Sequence, residues 1–187
     1  LLDLNHATRG VTNSTVPLGL GMISTYLKKN VSPDFEVEMF KETDKAMNAL
    51  KEWPPDIVGI AQYCWNSELN LHVARLAKKD NPRCLIIAGG PNLGGSKKER
   101  IEYFKRNPFV DICVAYDGEI PFSQIVQRFI SGEDISDIKA HPTAGTFSFD
   151  TEKEGIVSSI EPPPRIDGLD VFGALYSDGV FEKLLND

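Results

Sequence analysis

The sequence is short of several features that would place a protein at a glance. Cysteine is scarce, with Cys64, Cys84 and Cys113 the only three in 187 residues and no CxxC pair among them. An odd, scattered set excludes a disulfide or zinc framework and suits reduced intracellular thiols. Positive charge is in deficit: 20 Lys and Arg stand against 27 Asp and Glu, a net charge of -7. A net-acidic chain suits phosphate backbones only where its basic residues cluster. The nearest cluster, Lys97-Lys98-Glu99-Arg100 with Lys105 and Arg106, is interrupted by acidic and apolar residues, as on a solvated helix face. No nucleic-acid partner is expected. No apolar run approaches the length that spans a bilayer. Leu1-Leu2-Asp3-Leu4-Asn5 has no basic flank and no long apolar stretch, so neither a membrane partner nor a secretory signal is expected, and the location implied is cytoplasmic. With no methionine at position 1, a piece of a longer protein is expected. His6, His72 and His141 form no metal set, and no Ser/His/Asp or Cys/His pairing emerges from spacing.

What is present is an alternation of strand-like and helix-like stretches. Leu1 to Asn5 reads as a short strand. Pro17 stands where a first helical residue would, and Leu18, Leu20, Ile23, Tyr26 and Leu27 follow at helical spacing. Residues 35–40 alternate at period two. Thr43 is placed to cap a helix over 44–52, which Pro54-Pro55 stops. Residues 56–61, 84–88 and 110–115 are continuous apolar runs, as expected of strands covered on both faces. Helices are expected from Asn66 or Ser67, near Lys97 to Arg106, and from Ile120 to Ile130. Five strand–helix units describe an α/β fold: a flavodoxin-like (Rossmann-like), five-stranded parallel sheet, order 2-1-3-4-5.

The pattern changes after Gly132, which divides the chain into a Rossmann-like domain over 1–132 and a hairpin and linker over 133–187. Residues 145–149 and 155–160 flank Thr151-Glu152-Lys153-Glu154 as a small C-terminal β-hairpin. Pro162-Pro163-Pro164 reads as a stiff connector, and Val180 to Asn186 as a last short helix. The tail is too small for a core of its own and should pack on the main domain or on a neighbour beyond this chain.

Open α/β sheets bind ligands beyond the carboxyl ends of their strands. Those ends carry Asn5-His6, Gln62-Tyr63-Cys64-Trp65-Asn66, Gly89-Gly90-Pro91-Asn92 and Tyr116-Asp117-Gly118-Glu119. Glycines, amides and aromatics with few cations suit a large, flat, partly apolar ligand better than a bare phosphate. Gly19-Leu20-Gly21 lies inside a helix, with Ser24 in place of a third glycine, so it is no dinucleotide fingerprint. There is no Walker loop, and Ala61-Gln62 and Ala115-Tyr116 stand where a phosphoryl-relay receiver needs aspartate and lysine. Thr8-Arg9-Gly10-Val11-Thr12 faintly suggests a flavin phosphate loop. Three features carry two readings each. Gly89-Gly90 either lets a ligand lie against bare backbone or makes a plain turn. Trp65 either stacks on a planar ligand or plugs the top of the sheet. Glu119 either binds a ligand hydroxyl or ammonium or favours the positive end of a helix.

Several segments together resemble the cobalamin-binding domain that precedes the catalytic barrel in many radical S-adenosylmethionine enzymes. They are Pro17 to Leu27, Pro55 to Ile60, Asn66, Ile87-Ala88-Gly89-Gly90-Pro91, Asn107 to Asp111 and Asp117-Gly118-Glu119-Ile120-Pro121-Phe122. In the tail, residues 166–170 and 176–181 resemble the linker into the barrel. The resemblance implies a cobalamin site formed by Asn5, Leu18, Gly19, Ala61, Gln62, Tyr63, Trp65, Asn66, Gly89, Gly90, Pro91, Asn92, Tyr116, Gly118 and Glu119, with no catalytic or metal-ligating residue in this chain. It implies that cobalamin and the protein's own C-terminal barrel are the partners. S-adenosylmethionine and a 4Fe-4S cluster would belong to that barrel, since no CxxxCxxC occurs here. The whole enzyme would be a methyltransferase or an oxidative cyclase of the magnesium-protoporphyrin monomethyl ester type. Two motifs depart from the family. His6 is spaced wrongly from Asp3 and Gly10 for D-x-H-x-x-G, and Ala61 stands where S-x-L would supply a serine hydroxyl. The alternatives are a vestigial domain used for packing or substrate recognition, and a flavodoxin-like flavin module.

Overall fold

The structure is a computed structural model that describes residues 1–6, 15–93, 95–159, 161 and 165–185. The loop around Thr8 to Thr12 and the Pro162-Pro163-Pro164 connector lie outside the described residues. Three strands follow from the continuous apolar runs: β1 (Ile57–Ala61), β2 (Leu85–Gly89) and β3 (Ile112–Val114). They pair in parallel, with Ile57 opposite Leu85 and Ile87 opposite Ile112. β2 is the central one, and Leu85, Ile86, Ile87 and Ala88 are all buried.

Successive residues of a strand face opposite sides, which builds two cores. Ile86 and Ala88 face α2 (Thr43–Glu52), α3 (Ser67–Asp80) and α4 (Lys97–Arg106), meeting Ala46, Val73, Ala77 and Phe104. Leu85 and Ile87 face α1 (Leu18–Asn30), α5 (Glu119–Ile130) and α6 (Ile135–Ala140), meeting Leu27, Ile125 and Ile138. Asp111 is buried ahead of β3; its carboxylate accepts from Ile86 N and Lys78 Nζ, both at 2.8 Å. α4 begins with a capping box, in which Ser96 Oγ accepts from Glu99 N and the Glu99 side chain accepts from Ser96 N.

The sheet has five strands and is mostly parallel, but its membership differs from the expected one. The hairpin is not an appendage. β4 (Thr146–Asp150) runs antiparallel to β3, and β5 (Gly155–Ser158) antiparallel to β4, giving the order β1-β2-β3-β4-β5. Phe147 and Phe149 pack on Phe104, with ring centroids 6.0 Å away in each case. The hairpin thereby covers an edge of β3 that would otherwise expose unpaired backbone. The segments around Leu2 and residues 35–40 are held by single parallel bridges, Leu2 to Phe40 and Leu2 to Ile60, so neither counts as a ladder strand.

Local boundaries also shift. Pro17 sits at the N-cap of α1, ahead of the first helical residue, and Thr43 is itself the first residue of α2, with Glu42 in the cap position. The short α6 had no counterpart in the sequence reading. The last helix, α7, spans Glu182–Leu185. Of the two places expected for the tail, it packs on the main domain: Phe172, Leu175 and Phe181 are buried against Met22, Tyr26 and Met39. Phe181 fills the space beside Gly21, where an added Cβ would lie 2.3 Å from the ring's Cζ.

Candidate functional site

β1, β2 and β3 end together, with Ala61 opposite Gly89 and Gly89 opposite Val114. Above these ends, between the starts of α1 and α5, lies a cleft of about 620 Å³, within the usual range of small-molecule sites. Its buried wall is mainly apolar: Leu20, Ile60, Ile87, Val114 and Phe122. Its rim carries large exposed apolar side chains, Leu18 at 46%, Trp65 at 57% and Tyr116 at 68% of full exposure. Trp65 stacks on Tyr63, with centroids 4.7 Å apart and planes within 8°. Such exposure is unusual for aromatics and marks a surface awaiting a partner or ligand.

Of the residues singled out in the sequence, Asn5, Leu18, Gly19, Ala61, Tyr63, Trp65, Gly89, Gly90, Tyr116, Gly118 and Glu119 line this cleft. The other four stand elsewhere. Asn66 is buried at the N-cap of α3, where its Oδ1 accepts from Tyr63 N at 3.0 Å and its Nδ2 donates to Asp3 Oδ1 at 2.6 Å. Gln62 is buried too. Its N donates to Gly89 O, its O accepts from Asn92 N, and its Oε1 accepts from Ser67 Oγ. Its Nε2 has no hydrogen-bond partner among the described residues. Pro91 and Asn92 line a separate polar cleft between α3 and α4.

The two glycines part company. Gly90 has φ +116°, and a Cβ there would stand 2.8 Å from the carbonyl oxygen of Gln62. It is glycine because the loop needs it, which at this position is the turn reading of the pair. At Gly89 the nearest atom to an added Cβ is Val114 Cβ at 4.0 Å. Gly89 is therefore the position where bare backbone borders open cleft.

The fold also brings together groups that sequence reasoning missed. Lys41 is buried in the cleft wall and donates to the carbonyl oxygen of Thr15 and, at 3.1 Å, to Thr15 Oγ1. Burial lowers the pKa of its ammonium, and the charge of Asp3 opposes that. Burial likewise raises the pKa of Asp3, against the pull of Lys41 and the Asn66 hydrogen bond. Glu119, half-buried, is raised by burial and by Asp117, against its own backbone hydrogen bond. The available signals were an aspartate inside the apolar Leu1–Asn5 segment and a lysine directly following residues 35–40. Asn70, inside α3, accepts from Leu4 N at 3.0 Å and donates to Ala61 O, fixing the N-terminal segment beside β1. His6 is exposed and does not line the cleft. Among the described residues no group of three His, Cys, Asp or Glu side chains could hold a metal ion.

The sequence pattern of the family described as B12 binding domain matches residues 7–126. The 2-(S-pantetheinyl)-carbapenam-3-carboxylate methyltransferase of Streptantibioticus cattleyicolor is 30% identical over 115 residues, 59% of this chain and 16% of that protein. The cobalamin-dependent radical SAM methyltransferase TokK of Streptomyces tokunonensis is 28% identical over 120 residues, 62% of this chain and 17% of that protein. An uncharacterized methyltransferase of Pyrococcus horikoshii, PH0819, is 24% identical over 168 residues, 87% of this chain and 33% of that protein. The chain thus spans about a sixth of the first two relatives.

Proposed function

The chain belongs to the B12 binding domain family, and we propose that its cleft holds a cobalamin for a radical S-adenosylmethionine methyltransferase. The observation that carries this reading is Gly89: bare backbone, bordering open cleft, at the carboxyl ends of three parallel strands. The residues present fit such a cofactor. The apolar wall formed by Ile60, Ile87, Val114 and Phe122 accepts a flat, weakly polar part of it. The exposed rim of Leu18, Trp65 and Tyr116 offers area for a wide macrocycle. Tyr63, packed behind Trp65, holds that indole in place. Glu119 and Asp117 present acceptors to amide N–H groups. When bound, the cofactor would supply a carrier for a methyl group. Methyl transfer is favoured over oxidative cyclisation because the relatives are named as methyltransferases.

A flavin mononucleotide fits this wall less well. Its phosphate is dianionic, whereas among the described lining residues Asp3, Asp117 and Glu119 stand against one basic side chain, Lys41, which donates to Thr15. Titration with hydroxocobalamin, followed in the visible spectrum, tests the reading. Saturable binding is expected with hydroxocobalamin and none with FMN. Gly89→Val should weaken cobalamin binding about tenfold to a hundredfold, the cost of overfilling a packed site. His6→Ala should leave the cobalt spectrum of the bound form unchanged, since His6 is outside the cleft. Absence of hydroxocobalamin binding, or FMN binding in its place, would reject the reading.

A further inference from the structure

We propose that the C-terminal tail is a strap whose seating on α1 sets how tightly the cleft holds its occupant. The inference rests on the cobalamin reading for the identity of that occupant, and it adds a control that lies outside the cleft.

The start of α1 is weakly built on its own. Pro17 at the N-cap offers the first turn no side-chain hydrogen bond, and no acidic residue stands in that turn. Gly19 and Gly21 both fall among the first four helical positions, where glycine gives up more backbone freedom than any other residue. Yet this is the stretch that brings Leu18, Gly19, Leu20 and Ile23 to the cleft. Its order is borrowed from other segments. Lys41 fastens Thr15 ahead of the helix. Ile23 packs beside Gly118, where an added Cβ would lie 3.1 Å from Ile23 Cδ1. On a face that does not line the cleft, the tail follows α1 at three places. Phe181 occupies the room left by the missing Cβ of Gly21. Phe172 meets Tyr26 with ring centroids 6.5 Å apart, and Val171 O accepts from Lys29 Nζ at 2.8 Å. Of the three, Phe181 is the one seated at the first turn. Gly21 thus weakens that turn and at the same time makes the seat for the ring that steadies it.

Two groups that order the same segment are coupled, because what the first has ordered the second need not order again. An occupant resting on Leu18 and Gly19 and the Phe181 ring resting on Gly21 both favour the formed first turn. Seating Phe181 therefore raises the affinity of the cleft, and filling the cleft holds the tail down by the same factor. No tail residue has to touch the occupant for this.

Hydroxocobalamin titrations of the parent chain, Phe181→Leu and Phe104→Leu decide it, together with amide hydrogen exchange. The two variants make the same change in two places, since Phe104 is buried against Phe147 in the core on the other face of the sheet from α1. Phe181→Leu should weaken binding about fivefold or more, the lower end of ordinary coupling between sites. It should also speed exchange at the Gly21, Met22 and Ile23 amides. Phe104→Leu should keep the affinity of the parent. In the parent, hydroxocobalamin should slow exchange of the Leu184 amide, which donates to Phe181 O at 3.0 Å. That measurement decides the matter even where Phe181→Leu does not fold. Parental affinity in Phe181→Leu, an equal loss in both variants, or Leu184 exchange that binding does not slow overturns the strap and leaves the cobalamin reading standing. If the parent binds no hydroxocobalamin, the cobalamin reading fails and exchange alone judges the strap, which unchanged rates at Gly21, Met22 and Ile23 in Phe181→Leu would overturn.

Discussion

Gly89 and Gly90 are neighbours with different jobs. At Gly90 the positive φ and the Gln62 backbone leave no room for a side chain. Gly90→Ala should therefore destabilise the fold by about 1–3 kcal/mol, the usual cost of a strained backbone position, read as a lower urea midpoint. The Gly89→Val midpoint should stay near that of the parent, since its Cβ meets ordinary contact distance. Glu119 makes a second prediction. Burial and Asp117 raise its folded pKa above the unfolded one. The folded state then binds the proton more tightly, so this group loses stability as pH rises through the window between the two values, and its ionised form weakens the fold at neutral pH. Glu119→Gln should raise the melting temperature at pH 7. That advantage should fade as pH is lowered below the ordinary carboxylate range, where the parent is protonated as well. A variant that melts below the parent at pH 7 would show that the carboxylate is held by a favourable partner.

Among the elements, α1 depends on the tail. The 3-10 turn Leu169–Phe172 and the residues after it seat Phe181 against Gly21, and Lys29 Nζ donates to Val171 O at 2.8 Å. No described tail residue lines the cleft, yet the tail holds the helix whose first residues, Leu18 and Gly19, do. Phe181→Ala empties a fully buried ring site and should cost about 3–5 kcal/mol, as large-to-small core changes of this kind do. Chemical unfolding measures it. A loss below about 1 kcal/mol would mean that surrounding side chains collapse into the space. The hairpin shows the same interdependence on the other edge, where Arg100 of α4 lies 4.2 Å over the Phe147 ring.

At the level of the whole molecule, binding and folding are linked. A ligand held only by the folded state stabilises it by about 2.7 kcal/mol at a hundred times its Kd. Hydroxocobalamin should accordingly raise the melting temperature of the chain in a concentration-dependent way, and FMN should leave it unchanged. The molecule is acidic, at -7, and the polar cleft between α3 and α4 mixes Arg75 and Arg106 with Glu68, Glu99 and Glu102. Neither feature offers the basic stripe that nucleic acid requires.

The apolar runs that became β1, β2 and β3, the helix from Lys97 to Arg106 and the carboxyl-edge position of the cleft were all legible in the sequence. Each depends on neighbours along the chain, through periodicity, capping and the end of an apolar run. The family resemblance added the cofactor class. Tertiary structure alone decided the rest. The hairpin joined the sheet because Phe147 and Phe149 found Phe104, more than 40 positions earlier. Gly90 became a structural glycine because the loop folds back on Gln62, leaving Gly89 to border the cleft. Asp3 and Lys41 met because the N-terminal segment lies between Phe40 and Ile60, so that two charges 38 positions apart share one partly desolvated wall. Local pattern reports what a residue does to its neighbours in sequence. Which surfaces bury one another is set by contacts between distant segments, and no periodicity carries that information.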